Sequence, residues 1–230
     1  MEQRIQDGKR HICEIGMKMW QAGWVAANDG NITVKLNENL FLATPTGVSK
    51  ALLEPEMIIM VNENGEALED SAVRPSSEIK MHMKCYELRD DIGAVVHAHP
   101  PTATGFAVAG IPMDGYNMIE TVITLGSVPL TPYATPGTDE VPAAIAPFVP
   151  EHDALLLANH GALTLGTDLL TAFYRMETLE LWAKISINAH ILGGAKELGR
   201  ENIDKLLYMR EHYYQMSGRH PGYKKYKTHV

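Results

Sequence analysis

Between residues 3 and 22, Ile5, Ile12, Ile15 and Met19 recur at multiples of the helical repeat and Gly23 follows them. That spacing predicts an amphipathic helix stopped by a glycine. Three short apolar runs come next, at 32–36, 40–43 and 57–61, punctuated by Asn28-Asp29-Gly30, Pro45-Thr46-Gly47 and the turn residues 62–65. Runs of that length between such turns predict strands. From 77 to 89 the apolar positions Ile79, Met83 and Tyr86 follow i, i+4, i+7, so a helix opens just after Pro75-Ser76-Ser77. A strand at 94–99 follows, then a variable stretch to 123, a strand at 127–131 and a helix starting at Thr138-Asp139-Glu140. Residues 154–158 read as a buried strand with 162–165 as its hairpin neighbour, and Thr167-Asp168 opens a long helix that stops at Gly193-Gly194. Short, closely spaced strands without strict βαβ alternation predict an α/β sandwich around a largely antiparallel sheet.

No internal repeat or low-complexity segment interrupts this order. The 230 residues, 45% hydrophobic and 21% charged, read as one domain, 1–230. A formal net charge of −8 and a pI near 5.7 argue against recognition of nucleic acid by bulk attraction. The charge is uneven. Residues 205–230 carry Lys205, Arg210, Arg219, Lys224, Lys225 and Lys227 against Glu211 alone, so this segment stands at +5 and the residues before it at −13. It also holds Tyr208, Tyr213, Tyr214, Tyr223 and Tyr226, five of the nine tyrosines. The two cysteines, Cys13 and Cys85, fall in helical patterns and cannot make a disulfide framework, which fits a reducing cytoplasm. The first residues mix charges without an apolar core, and no run of about 18 uncharged apolar residues follows, so a soluble protein without a membrane segment is expected.

Chemistry concentrates at a few places. In Val95-Val96-His97-Ala98-His99 the two imidazoles share one face of a strand, with Cα atoms about two rises of roughly 3.3 Å apart. They can hold one metal ion, or they can be two histidines on a polar sheet face. His160 ends the apolar run 154–158 and supplies a third ligand or a surface turn residue; a catalytic zinc needs about three protein ligands and an open position. Pro75-Ser76-Ser77-Glu78 is a helix start whose free N–H groups and hydroxyls suit an anion, or simply an N-cap with an acid in the first turn. Thr44-Pro45-Thr46-Gly47 and Gly30-Asn31 are small donor-rich loops of the same double reading. Glu78 reads as a fourth metal ligand, a general base or a surface carboxylate. His82 lies one turn further on, His11, His190 and His212 belong to helical patterns, and the methionines between 79 and 83 read as core.

At these residues the chain resembles the class II aldolase/adducin-head family, and within it the aldolases of L-fuculose 1-phosphate. The resemblance runs from about residue 5 to 215 through Gly30-Asn31-Ile32-Thr33-Val34, Thr44-Pro45-Thr46-Gly47, Pro75-Ser76-Ser77-Glu78, Val96-His97-Ala98-His99, Pro132-Tyr133-Ala134-Thr135 with Gly137-Thr138, and Asn159-His160-Gly161. It implies a three-layer α/β/α sandwich with a mainly antiparallel sheet, assembled as a homotetramer with sites between subunits. It implies that His97, His99 and His160, joined by Glu78, bind Zn2+, with Mn2+ and Co2+ as alternatives. Glu78 is then the acid/base, Tyr116 the proton donor on the aldehyde side, and Asn31, Thr46, Gly47, Ser76 and Ser77 the binders of a substrate phosphate. The implied reaction is cleavage of a ketose 1-phosphate, L-fuculose 1-phosphate or a related deoxy-pentulose or methylthioribulose 1-phosphate, to dihydroxyacetone phosphate and an aldehyde. A 4-epimerase, a dehydratase and a non-catalytic adducin-head-like module are the other uses of the scaffold. The partner is a small sugar phosphate, with neither nucleic acid nor membrane. Residues 102–124, which should line the aldehyde side, depart from the fuculose aldolase pattern, and the C-terminal segment is either a cover for a neighbouring subunit's site or a solvated end.

Overall fold

The computed structural model describes residues 1–68 and 73–226. Helix α1 (Glu2–Gln21) buries Ile5, Ile12, Ile15 and Met19 on one face. It ends as its glycine requires: at φ +71°, Gly23 donates its N–H to the Trp20 carbonyl (2.9 Å), and the Trp24 N–H reaches the Met19 carbonyl (3.0 Å). Seven strands follow: β1 (Asn31–Asn37), β2 (Leu40–Ala43), β3 (Ile59–Val61), β4 (Ala94–Ala98), β5 (Leu130–Thr131), β6 (Ala154–Leu157) and β7 (Gly161–Gly166). They form one sheet in the order β3-β2-β1-β4-β7-β6-β5, antiparallel throughout except for the β5–β6 pair.

Strand alternation divides the core into two layers. Ala94, Val96 and Ala98 of β4 pack with α1, α3 (Pro101–Val108) and α6 (Leu169–Ile191). Val95 faces the other way, with Leu155, Leu163 and Leu165, toward α2 (Ile79–Leu88) and α5 (Glu140–Ile145). Met81 and Met83 are part of that second layer, as their pattern suggests. The result is the three-layer α/β/α sandwich expected, with both faces of the sheet covered. A smaller cluster joins Tyr116 and Val122 of α4 (Ile119–Thr124) to Ile203 of α7 (Arg200–His212).

Three departures have physical causes. Met57 closes a 3-10 turn, Pro55–Met57, because proline presets the first helical position, and the strand begins only at Ile59. Within 127–131 only Leu130 and Thr131 pair, since Val128 bridges to Met113 and Pro129 lacks an N–H. The stretch before 123 contains α3 and α4. Helix α3 buries little more than Ala103 and Ala107, and its start is held from afar: the buried Glu180 carboxylate accepts from the Thr102 and Ala103 N–H groups at 2.9–3.2 Å.

The basic segment folds back on the acidic body of the same chain. Asp153, 1% exposed, lies between Arg89 and Arg175 at 2.7 Å from each. Arg175 and Arg210 both donate to the Ser217 carbonyl, at 2.9 and 3.3 Å, and His220 Nε2 donates to the Val122 carbonyl at 2.8 Å. Lys224 pairs with Glu151, Lys225 with Glu197, and the Tyr226 hydroxyl meets His152 and Ser127. Lys227 lies outside the described residues. Truncation after Met216 removes the His220, Lys224, Lys225 and Tyr226 contacts. It should lower the melting temperature by roughly 2–4 °C for each kcal/mol lost, read by calorimetry; an unchanged melting temperature would show that the segment adds nothing to stability.

Candidate active site

Sheet register brings the candidate residues together. Asn31 on β1 stands directly opposite His97 on β4, so both side chains leave the sheet toward α2. Thr44, just past β2, is tied to β1 by Thr44 N–H to Ile32 carbonyl (3.0 Å) and Ile32 N–H to Thr44 Oγ1 (3.1 Å). An antiparallel bridge between Pro45 and Pro75, and the Ser76 N–H donating to the Thr44 carbonyl at 3.3 Å, then set the loop 75–78 beside the loop 44–47. Glu78 is the N-cap residue of α2, at φ −93° and ψ 9°, in the bridge region that many site residues occupy.

The three histidines converge on this carboxylate. His97 Nε2 is 3.2 Å from His99 Nε2 and 3.4 Å from Glu78 Oε2, while His160 Nε2 is 3.3 Å from Glu78 Oε1. One ligand atom from each imidazole lies within 4.8 Å of the others. The turn that delivers His160 is shaped for this approach. Asn159 takes φ +56°, and a Cβ at Gly161 would stand 2.6 Å from the Ala98 carbonyl and from His99 Cδ2.

These residues fit a divalent cation. Ligand atoms about 2.0–2.1 Å from a tetrahedral zinc stand roughly 3.3–3.4 Å apart, which matches the three separations above. His97 Nδ1–H donates to the Ala162 carbonyl at 2.9 Å, which fixes the tautomer and leaves Nε2 with its lone pair. Burial pushes the His97 imidazole down to about 3, which keeps it neutral, the form a metal needs, and burial lowers His160 in the same direction. Glu78 Oε1 is buried without a hydrogen-bond partner. A buried carboxylate oxygen in that condition is costly unless something positive meets it.

The other Glu78 oxygen ends a chain of buried hydrogen bonds. Asn31 Nδ2 donates to Oε2 at 2.9 Å and to Ser76 Oγ at 3.2 Å. His82 Nε2–H donates to Asn31 Oδ1 at 2.5 Å, Thr33 donates its hydroxyl to His82 Nδ1 at 2.9 Å, and Tyr86 donates to Thr33 at 2.8 Å. An ionised carboxylate can only accept, and each donor and acceptor role then follows from the one before it, so the row runs from Tyr86 to Glu78. Burial holds His82 down to about 4, which keeps it neutral, as the row demands. Burial also pushes the Glu78 carboxyl up, but the facing His97 and His160 rings in their protonated form, together with the Asn31 amide, outweigh it and leave the carboxyl below its usual range.

A cavity of about 180 Å³ opens over this arrangement, lined by Asn28, Asp29, Gly30, Asn31, Pro45, Thr46, Ser76, Ser77, Glu78, His99, Pro136 and His160. Gly47 adjoins it at φ +74° without lining it, and His97 is fully buried behind it. The sequence marks Asn28 and Asp29 only as turn residues, and it singles out neither Pro136 nor the buried row His82, Thr33 and Tyr86. A larger groove of about 810 Å³ between α2 and α5 holds none of the candidate residues, and Lys35, Lys80 and Lys84 in its wall are paired with Glu38, Asp139 and Glu87. Tyr116 stands apart. It is fully buried, and its hydroxyl meets the Gly222 carbonyl (2.8 Å) and the Lys224 N–H (2.6 Å) of the C-terminal segment, not the histidine cluster.

Residues 10–187 match the family model described as "Class II Aldolase and Adducin N-terminal domain". The chain is 33% identical over 186 residues to a 3-oxo-tetronate 4-phosphate decarboxylase of Escherichia coli K12, covering 78% of this chain and 86% of that protein. It is 30% identical over 213 residues to a 5-deoxy-D-ribulose 1-phosphate aldolase of Bacillus thuringiensis serovar kurstaki, covering 92% and 99%. A solved L-fuculose 1-phosphate aldolase superposes with a TM-score of 0.81 at 31% identity, over 88% of this chain and 95% of that one.

Replacing His82 by Ala strands the Asn31 carbonyl oxygen and the Thr33 hydroxyl, and should cost about 1–3 kcal/mol for each group left unpaired, measured by urea unfolding. Acid should weaken the fold for the same reason. His82 and His220 are held down to about 4 by burial, below the unfolded histidine value. The unfolded chain therefore binds more protons between that value and about 6.5, and the urea midpoint should fall as the pH drops through this window.

Proposed function

We propose, on the premise that this chain belongs to the class II aldolase and adducin N-terminal domain family, that it is a metal-dependent aldolase. Its substrate is a ketose 1-phosphate, L-fuculose 1-phosphate or a related deoxy-pentulose or methylthioribulose 1-phosphate, cleaved reversibly to dihydroxyacetone phosphate and an aldehyde. One observation carries this reading: His99, His160 and Glu78 line the same cavity as Asn31, Thr46, Ser76 and Ser77. A cation-binding cluster and a set of neutral anion donors thus face one bound molecule. Zn2+, Mn2+ or Co2+ on His97, His99, His160 and Glu78 would supply Lewis-acid charge to a carbonyl and its neighbouring hydroxyl.

The chain's own groups divide the remaining work. The hydroxyls of Thr46, Ser76 and Ser77 and the backbone at Gly47 take the phosphate, beside Asn31, whose amide holds Ser76 and Glu78 in place, and this fixes where the C3–C4 bond lies. Glu78 moves the proton on C3 once that bond breaks. Its Oε2 is held by Asn31, so Oε1, without a hydrogen-bond partner, is the oxygen that would meet the cation at rest and would carry the proton when not bound to it. The aldehyde oxygen needs a separate donor, and Tyr116 is engaged by its own chain's C-terminal segment. We assign Tyr116 that role only in the homotetramer, where sites between subunits bring this region of one chain to the cleft of the next. Cys13 and Cys85 are free thiols, and among the described residues no helix is long and apolar enough to cross a membrane, so we place the reaction in the cytoplasm.

Decarboxylation is the second reading, favoured by the Escherichia coli relative named for a 3-oxo acid 4-phosphate. Loss of carbon dioxide from such an acid and loss of an aldehyde from a ketose 1-phosphate leave the same electron pair beside the same carbonyl. A panel of ketose 1-phosphates with 3-oxo-tetronate 4-phosphate, assayed for dihydroxyacetone phosphate with and without chelator, separates the two by whether aldehyde or carbon dioxide accompanies it. Chelation and His97→Ala should each lower turnover by roughly a hundredfold or more, with His97→Ala losing bound metal. A metal-free His97→Ala protein with full activity would refute the aldolase reading.

A further inference from the structure

Lys50 is a lysine that the molecule has taken almost wholly out of water: it is 1% exposed. Its ammonium donates to the Asn28 carbonyl at 3.1 Å and the Val48 carbonyl at 2.9 Å, and among the described residues it forms no ion pair. Removing a charge from water without a counter-charge costs several kcal/mol. Such a cation persists where its charge or its geometry is used. Both acceptors belong to the cavity's loops: Asn28 starts the turn that carries Asp29, Gly30 and Asn31, and Val48 directly follows Thr46-Gly47. The ammonium therefore clamps together the two loops whose donors face the cavity. Burial pushes Lys50 down to about 8, with Asp29 opposing that shift, so the side chain is still charged at neutral pH.

We propose that Lys50 is the cation of the phosphate site, a positioning and specificity-determining residue. From behind the two loops it fixes their donors and holds the positive charge that makes this cavity prefer a phosphorylated substrate. The proposal rests on the reading of this cavity as a phosphate site. It resolves a difficulty in that reading, because the donors facing the cavity are neutral while Asp29 and Glu78 on its wall are acidic. A cation enclosed behind the loops acts through low-dielectric protein, with less loss to screening than a surface lysine suffers.

Two chelating probes test it, phosphoglycolohydroxamate and glycolohydroxamate, titrated calorimetrically into the metal-loaded protein at pH 7. They share the metal-binding group and differ in the phosphate. The wild-type chain should favour the phosphorylated probe, and Lys50→Met should cut that preference about tenfold with metal content and glycolohydroxamate affinity unchanged. Lys50→Arg, which keeps the charge, should retain most of the preference. A folded Lys50→Met protein with the wild-type preference overturns the proposal. A wild-type protein without any preference instead overturns the phosphate reading, and the role of Lys50 with it. Should Lys50→Met fail to fold, the wild-type chain decides: the preference should fall as the pH rises through about 8, where Lys50 loses its charge. Asp29 and the cluster imidazoles act on both probes, so a constant affinity ratio across that range overturns the proposal.

Discussion

Polar atoms shut between a sheet and a helix must all find partners, and that constraint governs how this molecule is built around its cavity. The face of β1 and β4 that meets α2 is not simply apolar, because Asn31, Thr33 and His97 occupy it. Helix α2 answers with Glu78, His82 and Tyr86. Asn31 is the joint of the arrangement: its amide nitrogen serves both Ser76 and Glu78, and its oxygen accepts from His82. The carboxylate is therefore aimed by the core and not by solvent. Its remaining oxygen and the three imidazoles form a pocket of donors that a cation would complete.

Charge is handled on two scales. Over the whole chain the balance is −8, and the basic C-terminal residues neutralise acids such as Glu151 and Glu197 by folding onto them. The sum thus says little about any one surface. Inside the molecule, cations are placed singly and for a purpose: Arg89 and Arg175 flank Asp153, and Lys50 sits on two carbonyls. An overall negative charge excludes recognition through a broad field, but it does not exclude an anion bound locally by donors, a helix start and an enclosed charge.

Most of the framework was legible because it follows local rules. The 3.6 period of α1, the turns around β2, the Asp168 N-cap of α6 and the i, i+2 histidines at the end of β4, His97 on it and His99 just past it, each carry their cause within a few residues. Helix α3 was not legible, because the carboxylate that caps it, Glu180, comes from 78 residues along the chain. The hydrogen-bonded row was hidden differently. Its pattern is present, Asn31 and Thr33 at strand spacing and Glu78, His82 and Tyr86 at i, i+4, i+8. Polar residues at helical spacing usually mark a solvated face, and only the opposing polar strand makes this one a buried seam. Lys50 gave no signal at all, since a lone lysine after a turn is ordinarily a surface residue.

The same physics separates the parts of the reaction that the fold determines from those it leaves variable. An aldehyde and carbon dioxide are different leaving fragments, yet under the proposed reading both departures would deliver an electron pair to the carbon next to the same carbonyl, beside a phosphate held at the same place. The groups that meet this shared half are held by the sheet register, the paired loops and the buried row, and moving any of them disturbs the core. The resemblance implies that the leaving fragment would be met elsewhere, by residues 102–124, none of which lines the cavity. Residues 102–124 include α3, capped from α6, and α4, which receives its contacts from His220 and Arg210 of the C-terminal region. Helix α3 gives the core Ala103 and Ala107, and α4 packs in a smaller cluster with α7, so the side chains that these helices turn away from the core can change with little cost to the sheet. A scaffold divided in this way keeps its carbanion chemistry while the identity of the departing group changes, which is consistent with relatives of near-equal identity bearing aldolase and decarboxylase names.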